Sequence, residues 1–476
     1  MGSVLDPICF VLYGGLYLID LRTARRQSAA KQNMSAVNAA GKESLPCYTV
    51  REERLPSQQY VTRNATRGKQ RMQRMQMNQN EEQWTALKDA VDGEWIAQQA
   101  QAMVEIPSVT MEEADVCQYY AAQLGELGFD VDQRRVTDGR YNIYARLPGA
   151  GDGPSLMLNG HLDTIPIGDC VPCRREGDRL YGRGATDMKG AMAAKLGALR
   201  ALQSAGITLA GDLWLTAIVG HEEPEAQKDG PLALIEDIKS GRIGGDRILI
   251  GEGWNELWVM SMGSMVFIIE LTSPRGGTHT TYVPFGENPI RFVGDLVQRI
   301  TAYQEELDTG ALHPLAGAER IDIGTVAAGD YFNRTPALCR LTGTLRWGPR
   351  ANAEEVLAEL RELAAPIAEA GQLELEVSMI HEREPFETVG DDAAVQAAAQ
   401  AHRFVHGDQV VVAGKRIVGD ANLFVNLGGV PSFYYGPSNE TAHSDVEWVS
   451  LSRLTQAAQV YALTAAEYCG LSGNGR

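Results

Sequence analysis

With 476 residues, 44% of them hydrophobic, the chain can bury a large core and is long enough for one big domain plus a smaller one, or for two. Its 43 Lys plus Arg are outweighed by 61 Asp plus Glu, a net charge of -18, which excludes the basic footprint by which proteins track nucleic-acid phosphates. Seven cysteines spread thinly over such a length make no disulfide framework and predict a reducing compartment, the cytoplasm.

Residues 1–80 differ from the rest. "ICFVLYGGLYLI" is apolar but shorter than the ~20 residues a membrane helix needs, has a Gly pair at its centre and no basic stretch before it. "RTARRQSAAKQN" and "RGKQRMQRMQMNQNEEQ" follow, polar and without a period. The segment reads as disordered or as an extension upstream of the true start, with a membrane tether as the alternative. From about Trp84 the pattern becomes regular. "WIAQQAQAMVEI" and "ADVCQYYAAQLGELGF" have helical spacing, while "NIYARLPG", "SLMLNGHLDT" and "DLWLTAIVG" are short β-rich runs. Helices alternating with strands predict an α/β domain with a mixed, mostly parallel sheet. After Gly263 the order changes to βαββαβ, the ferredoxin-like split unit, ending near residue 380. An α+β domain over 263–380 is therefore expected as an insertion between two parts of the α/β domain, 81–262 and 381–470.

Chemistry-bearing residues gather at the ends of the α/β strands. "LMLNGHLDT" closes an apolar strand with His161 and Asp163 two apart, so that both can leave on one face. A carboxylate beside a metal-ligating imidazole fixes its tautomer and raises its basicity. "LYGRGATDMKG" delivers Asp187 from a Gly-rich loop just before a helix. "AIVGHEEPE" puts Glu222 and Glu223 after another apolar run, "ILIGEG" does the same with Glu252, and "GPSNETAHSDVEW" offers His443 in a polar loop. In open α/β sheets ligands bind beyond the carboxyl ends of strands. Histidines and carboxylates so placed suit two divalent ions that share a bridging carboxylate. Adjacent Glu side chains in an extended segment point opposite ways, so one can ligate a cation while its neighbour faces the reacting water.

Taken in order, "NGHLDTIPIGD", "LYGRGATDMKGAMAA", "HEEPE", "GEG", "GDANLF" and "AHSDVEWV" make residues 85–468 resemble the M20 metallopeptidases and deacylases. That family includes acetylornithine deacetylase, succinyl-diaminopimelate desuccinylase and glutamate carboxypeptidase. The resemblance implies two zinc ions, with cobalt or manganese as substitutes: His161 and Glu252 on one, Glu223 and His443 on the other, Asp187 bridging. It makes Glu222 the general base that deprotonates the attacking water and later protonates the leaving amine, and Asp163 the residue that orients His161. The insertion is then a lid and dimerisation domain of a homodimer. Its His279, in "GGTHTTYVPFGENPI", would polarise the scissile carbonyl in the partner's site, and Asn333 and Arg346, in "YFNRTPALCRLTGTLRW", would grip a carboxylate of a small substrate. The implied reaction is hydrolysis of the amide of an N-acyl amino acid, with dipeptide or carboxypeptidase cleavage as the alternative and an aromatic or xenobiotic C–N bond behind both. A non-catalytic member is the contrasting reading, against which stand five filled ligand positions and Glu222.

Departures from the family pattern are also visible. His221 stands where Asp is usual and Gly253 where Pro is common, neither at a ligand position, and Ser438 and Asn439 replace a second Gly in a substrate loop. Cys170 and Cys173 form a CxxC without a second pair, which reads as a surface loop. His313, His381, His402 and His406 read as surface or structural histidines, the Met cluster at 72–77 as low-complexity tail, and Asp420 as a support for the loop carrying His443.

Overall fold

The computed structural model describes residues 81–438 and 440–472. The expectations for residues 1–80, the Met cluster included, and for Asn439 lie outside them. After a helical stretch at 81–89 come two helices, α1 (Gly93–Glu105) and α2 (Ala114–Glu126). The Asp92 side chain caps α1 by accepting from Trp95 N at 3.0 Å, and Ile96, Ala100 and Met103 form its buried stripe. Then come β1 (Val131–Thr137), β2 (Arg140–Leu147), β3 (Leu156–His161), β4 (Arg174–Glu176), β5 (Arg179–Tyr181), α3 (Lys189–Ser204), β6 (Leu213–Ile218), α4 (Asp229–Lys239), β7 (Arg247–Ile250) and β8 (Glu256–Ser261). An inserted unit follows: β9 (Gly263–Thr272), α5 (Val293–Thr309), β10 (Arg320–Ala328), β11 (Leu338–Trp347), α6 (Ala353–Gly371) and β12 (Glu374–Arg383). The chain closes with β13 (Phe386–Glu387), α7 (Ala393–His406), β14 (Val411–Lys415), α8 (Asp420–Asn426), β15 (Ser432–Tyr434), β16 (Trp448–Ser450) and α9 (Leu451–Tyr468).

The large sheet has the order β1-β2-β6-β3-β7-β15-β8-β13, with β14 also paired to β8. It is mixed. Its four central strands, β6, β3, β7 and β15, run parallel, and the flanking β1, β2, β8 and β13 join by antiparallel pairs. Every residue of β3 is buried, as expected of a parallel strand covered on both faces. α3 lies on β3 with α1 and α9 beside it, and α4 packs on β1, β2 and β6. Because β6, β3, β7 and β15 share a direction, their carboxyl ends meet at one edge. The segments that leave this edge carry His161, Glu222, Glu252 and His443.

The inserted unit is the expected βαββαβ, three residues longer than the pattern suggested because β12 runs to Arg383. Its four strands are antiparallel in the order β10-β11-β9-β12. Met265, Phe267, Ile269 and Leu271 of β9 pack against Leu296 and Ile300 of α5 and Val356, Leu360 and Ala364 of α6, a core separate from that of the large sheet. The chain crosses between the two cores at Met262 and at Glu384–Pro385. Asn422 Nδ2 donates to both Glu384 O, at 2.7 Å, and Met262 O, at 3.4 Å, and Asn426 Nδ2 to Pro385 O at 2.9 Å. Among the described residues no helix is long and apolar enough to cross a membrane.

Candidate active site

His161, the last residue of β3, is 1% exposed. Its Nδ1 lies 3.0 Å from the backbone oxygen of Asp163 and 3.6 Å from the Asp163 carboxylate, so the main chain, more than the side chain, sets the tautomer and presents Nε2 to the site. The Asp163 carboxylate instead accepts from Thr110 Oγ1 at 2.8 Å and from the N–H of Glu222 at 2.9 Å, anchoring the segment that follows β6. Asp187 ends a loop in which Gly182 and Gly184 hold left-handed backbone. A Cβ on Gly184 would press on Thr164 and Lys189.

The two oxygens of Asp187 face different histidines. Oδ1 is 3.1 Å from His161 Nε2, and Oδ2 is 3.5 Å from His443 Nε2. His443 Nε2 also lies 3.3 Å from Glu222 Oε2, and His443 itself holds φ +62°, a strained conformation of the kind that collects at functional sites. Donor atoms of His161, Asp187 and Glu222 lie within 4.8 Å of one another, as do those of His161, His221 and Glu252. The structure thus brings together His161, Asp187, Glu222, Glu252 and His443. Of the acidic pair Glu222 turns its carboxylate into this cluster. Glu223 belongs to neither donor group, and its N–H bonds Thr110 Oγ1 at 3.3 Å as the chain enters a short 3-10 turn.

Burial works against a proton on His161, but the bonded Asp187 overrides it and holds the imidazole pKa well above its ordinary value. On Asp187 burial is likewise overridden, by His161 and then His443, and the carboxyl stays far below the usual range. His443 is raised to about 10 by its contacts with Asp187 and Glu222. Burial, and next the charge of Asp187, push Glu252 up to about 7. Imidazoles that hold protons this tightly among crowded carboxylates mark a site built for cations, and a divalent metal suits the same nitrogen and oxygen donors.

One carboxylate outside the cluster ties its loops together. Glu447, 1% exposed, accepts from the N–H groups of Thr186 and Asp187, at 3.0 and 3.1 Å, and from Arg183 Nη1 at 2.6 Å. Arg183 Nη1 also donates to Ser444 O at 3.2 Å. β16, which follows Glu447, pairs with β5, which precedes Arg183. Glu447 lies within "AHSDVEWV", a stretch that carries no signal of this role in the sequence.

The expectation for Asp420 is corrected by the structure. Asp420 supports not the His443 loop but His221, whose Nδ1 is 2.7 Å from Asp420 Oδ2. His221, set aside by its family position, stacks on His161 with ring centroids 4.2 Å apart and planes 10° from parallel. Parallel rings point their lone pairs along parallel lines, which suits packing over His161 more than sharing one cation with it.

Asn333 and Arg346 lie far apart within one chain. Asn333 Nδ2 lies 3.4 Å from His279 Nε2, in an exposed patch at the tip of the inserted unit. Arg346 sits at the other end of β11, where β9 begins. Eight residues at ~3.3 Å each separate Leu338 from Arg346, about 26 Å, and Asn333 lies beyond Leu338. Within one chain, Asn333 and Arg346 cannot grip the same carboxylate. Elsewhere, Cys170 and Cys173 are free thiols in a surface loop. His402 is buried and bonded to Tyr435 and Asp408, a satisfied structural histidine.

A cluster of cation ligands at the carboxyl ends of four parallel strands, with a carboxylate poised beside it, fits a metal-dependent hydrolase. The chain belongs to peptidase family M20/M25/M40, whose profile matches residues 157–467. It is 32% identical over 287 residues to a succinyl-diaminopimelate desuccinylase of Dinoroseobacter shibae, covering 57% of this chain and 73% of that one. It is 27% identical over 376 residues to the N-formyl-4-amino-5-aminomethyl-2-methylpyrimidine deformylase of Bacillus subtilis, covering 72% and 86%. Its fold matches aminopeptidase PepT from Bacillus cereus with a TM-score of 0.67 at 17% identity, over 80% of this chain and 99% of that one. It also matches YXEP of Bacillus subtilis, a dinuclear metal binding peptidase, with a TM-score of 0.59 at 17% identity, over 78% and 97%.

Proposed function

We propose that this protein is a cytoplasmic, homodimeric deacylase that hydrolyses the amide bond of a small N-acyl amino acid with two zinc ions. The observation that carries the reading is Asp187, whose oxygens face His161 on one side and His443 on the other, the disposition a bridging carboxylate needs. His161 and Glu252 would hold one ion, Glu223 and His443 the other. Bound there, the ions would polarise the amide carbonyl and make water acidic enough to give hydroxide near neutral pH. The nitrogen and oxygen donors, without thiolate, favour zinc and admit cobalt or manganese.

Glu222 takes the proton of the attacking water and passes it to the leaving amine. Its placement supports this: the carboxylate is 6% exposed, and its backbone is held by Asp163. His279 and Asn333 lie together at the tip of the inserted unit, far along β11 from Arg346, so they would serve the partner's centre while Arg346 serves its own. The exposed Tyr282, Phe285 and Phe332 around them, the last 85% exposed, suit a surface that a second copy covers. His279 would then donate to the carbonyl oxygen as negative charge grows there. The inserted unit acts on this reading as lid and dimerisation domain. Free cysteines, buried or half-buried, accord with the cytoplasm.

The test is a panel of N-succinyl, N-acetyl and N-formyl amino acids and dipeptides offered to zinc-loaded protein. Release of a carboxylic acid and a free amino acid is expected. Release of two amino acids from dipeptides, with the N-acyl compounds untouched, would replace the deacylase reading by the dipeptidase one.

A further inference from the structure

β3 and β6 are neighbours in the parallel core, and their ladder ends with His161 opposite Ile218. One more bond, from Leu162 N–H to Ile218 O at 2.9 Å, follows before the two chains part. Beyond that point the ladder no longer sets how far Glu222 and Glu223 stand from His161. A base and a metal ligand must nonetheless be held within about 0.5 Å of their working positions.

The connection between α1 and α2 spans the gap. Ser108 Oγ donates to Leu162 O at 2.7 Å, Thr164 N–H to Ser108 O at 2.9 Å and Thr110 N–H to Thr164 O at 3.0 Å, so that Val109 pairs with Thr164 along the exit of β3. Met111 then takes φ +79°, left-handed backbone that a residue with a Cβ holds only where its surroundings impose it. Past this bend, buried Glu113 meets the exit of β6: its Oε1 accepts from Gly220 N–H at 3.1 Å. Arg140 fixes Glu113 in turn, its Nε and Nη2 donating to the two carboxylate oxygens at 2.8 Å each, and the same guanidinium pairs with Asp229 at the start of α4. Gly220 is packed so closely here that a Cβ would collide with Asp229 Oδ1 and Arg140 Nη2. Between these two anchors, Thr110 joins the strand exits through one hydroxyl. Its Oγ1 donates to Asp163 Oδ2 at 2.8 Å and accepts from Glu223 N–H at 3.3 Å, while the same Asp163 oxygen takes Glu222 N–H at 2.9 Å. A hydroxyl that donates along one line and accepts along another holds both partners at once.

We propose that Thr110 is a positioning residue: through its hydroxyl, the 108–113 connection sets the spacing between His161 and the Glu222–Glu223 pair, and so the fit of the base to the metal centre. The kinetic consequence rests on the deacylase reading of that centre, whereas the effect on the metal donors does not.

Thr110→Val keeps the shape of the side chain and removes the hydroxyl, Thr110→Ser keeps the hydroxyl, and Thr110→Ala covers the case in which the Val variant does not fold. Partners that orient metal ligands typically account for a factor of about 10–100 in affinity or activity. On the N-acyl substrate turned over best, the Val and Ala variants should therefore lose kcat on that scale with KM little changed, because Thr110 acts through the glutamates and not on the substrate. Thr110→Ser should recover most of the loss. The visible absorption of cobalt-loaded protein gives a second readout that needs no turnover: its bands should shift in the Val and Ala variants and match the unaltered protein in the Ser variant. An unaltered kcat or cobalt spectrum in Thr110→Val, or an equal loss in Thr110→Ser, would overturn the assignment and leave Thr110 a packing residue, whatever the change in thermal stability. If no N-acyl substrate turns over, the deacylase reading fails by itself, and the cobalt spectra decide the role of Thr110.

Discussion

Replacing Glu447 by Gln keeps the size of the side chain and one acceptor but removes its charge. In the native arrangement that carboxylate meets Arg183 Nη1 and the N–H groups of Thr186 and Asp187, all inside the protein. A hydrogen bond to a charged group contributes about 1.5–3 kcal/mol, and removing one member of a buried ion pair costs about 3–5 kcal/mol because the other is left uncompensated. Gln cannot accept all three donors, and its own amide N–H₂ must face one of them. Part of the loss falls on Asp187, whose backbone is no longer held where both of its oxygens reach a histidine. Partners that orient metal ligands typically account for a factor of about 10–100 in metal affinity. That corresponds to about 1.4–2.8 kcal/mol at ~1.4 kcal/mol per tenfold, well within what the broken contacts can supply. The measurement is equilibrium competition for zinc against a chromophoric chelator, with circular dichroism to confirm the fold. Zinc affinity within twofold of the unaltered protein would refute the view that Glu447 holds the bridging ligand in place.

Glu222→Gln should retain zinc while kcat falls by about 10²-fold or more, and Glu223→Gln should lose part of its zinc. The reverse pattern in metal analysis would assign the base to Glu223. Glu222→Ala and His279→Ala, each nearly inactive alone, should regain about a quarter of native activity when unfolded and refolded together. Random pairing gives about half heterodimers, each with one intact site of two, and no recovery despite confirmed heterodimers would return His279 to its own chain. Burial depresses the pKa of His402, and it takes the stacked His406 down to about 4 with help from the charge of His402. Imidazoles titrate near 6.5 in the unfolded chain, so that state takes up protons first. The contribution of this pair to stability should therefore be flat above pH 7 and fall between about 6.5 and 4. His406→Gln should make that decline shallower in urea titrations, and an unchanged decline would refute the assignment.

Much of the centre was legible because its ligands follow directly on apolar runs. His161 is the last residue of a strand of the parallel core, and Glu252 and Glu222 sit two and four residues beyond the ends of others, where the apolar runs stop and chemistry can begin. The inserted unit was legible for a related reason, a change in the order of strand and helix periods after Gly263. What stayed hidden depends on the third dimension. That adjacent glutamates can take different roles follows from strand geometry, but the placement of Glu222 is set by the left-handed turn at Gly220 and the anchor on Asp163. Asn333 and Arg346 looked like partners because one stretch of sequence holds both, and a single extended strand keeps them apart.

The inserted unit leaves and rejoins the large sheet at neighbouring points, Met262 and Glu384–Pro385, which Asn422 and Asn426 pin side by side. With its ends adjacent and its core separate, the unit is attached as a surface loop is, although it carries a sheet and two helices. Such a cassette can be lengthened, reshaped or exchanged at the cost of re-forming a few hydrogen bonds at one seam, and the strand ends that present His161, Asp187 and Glu252 need not move. Sheet and cassette are thereby placed under separate mutational control: one scaffold can keep its hydrolytic centre while the cassette is rewritten.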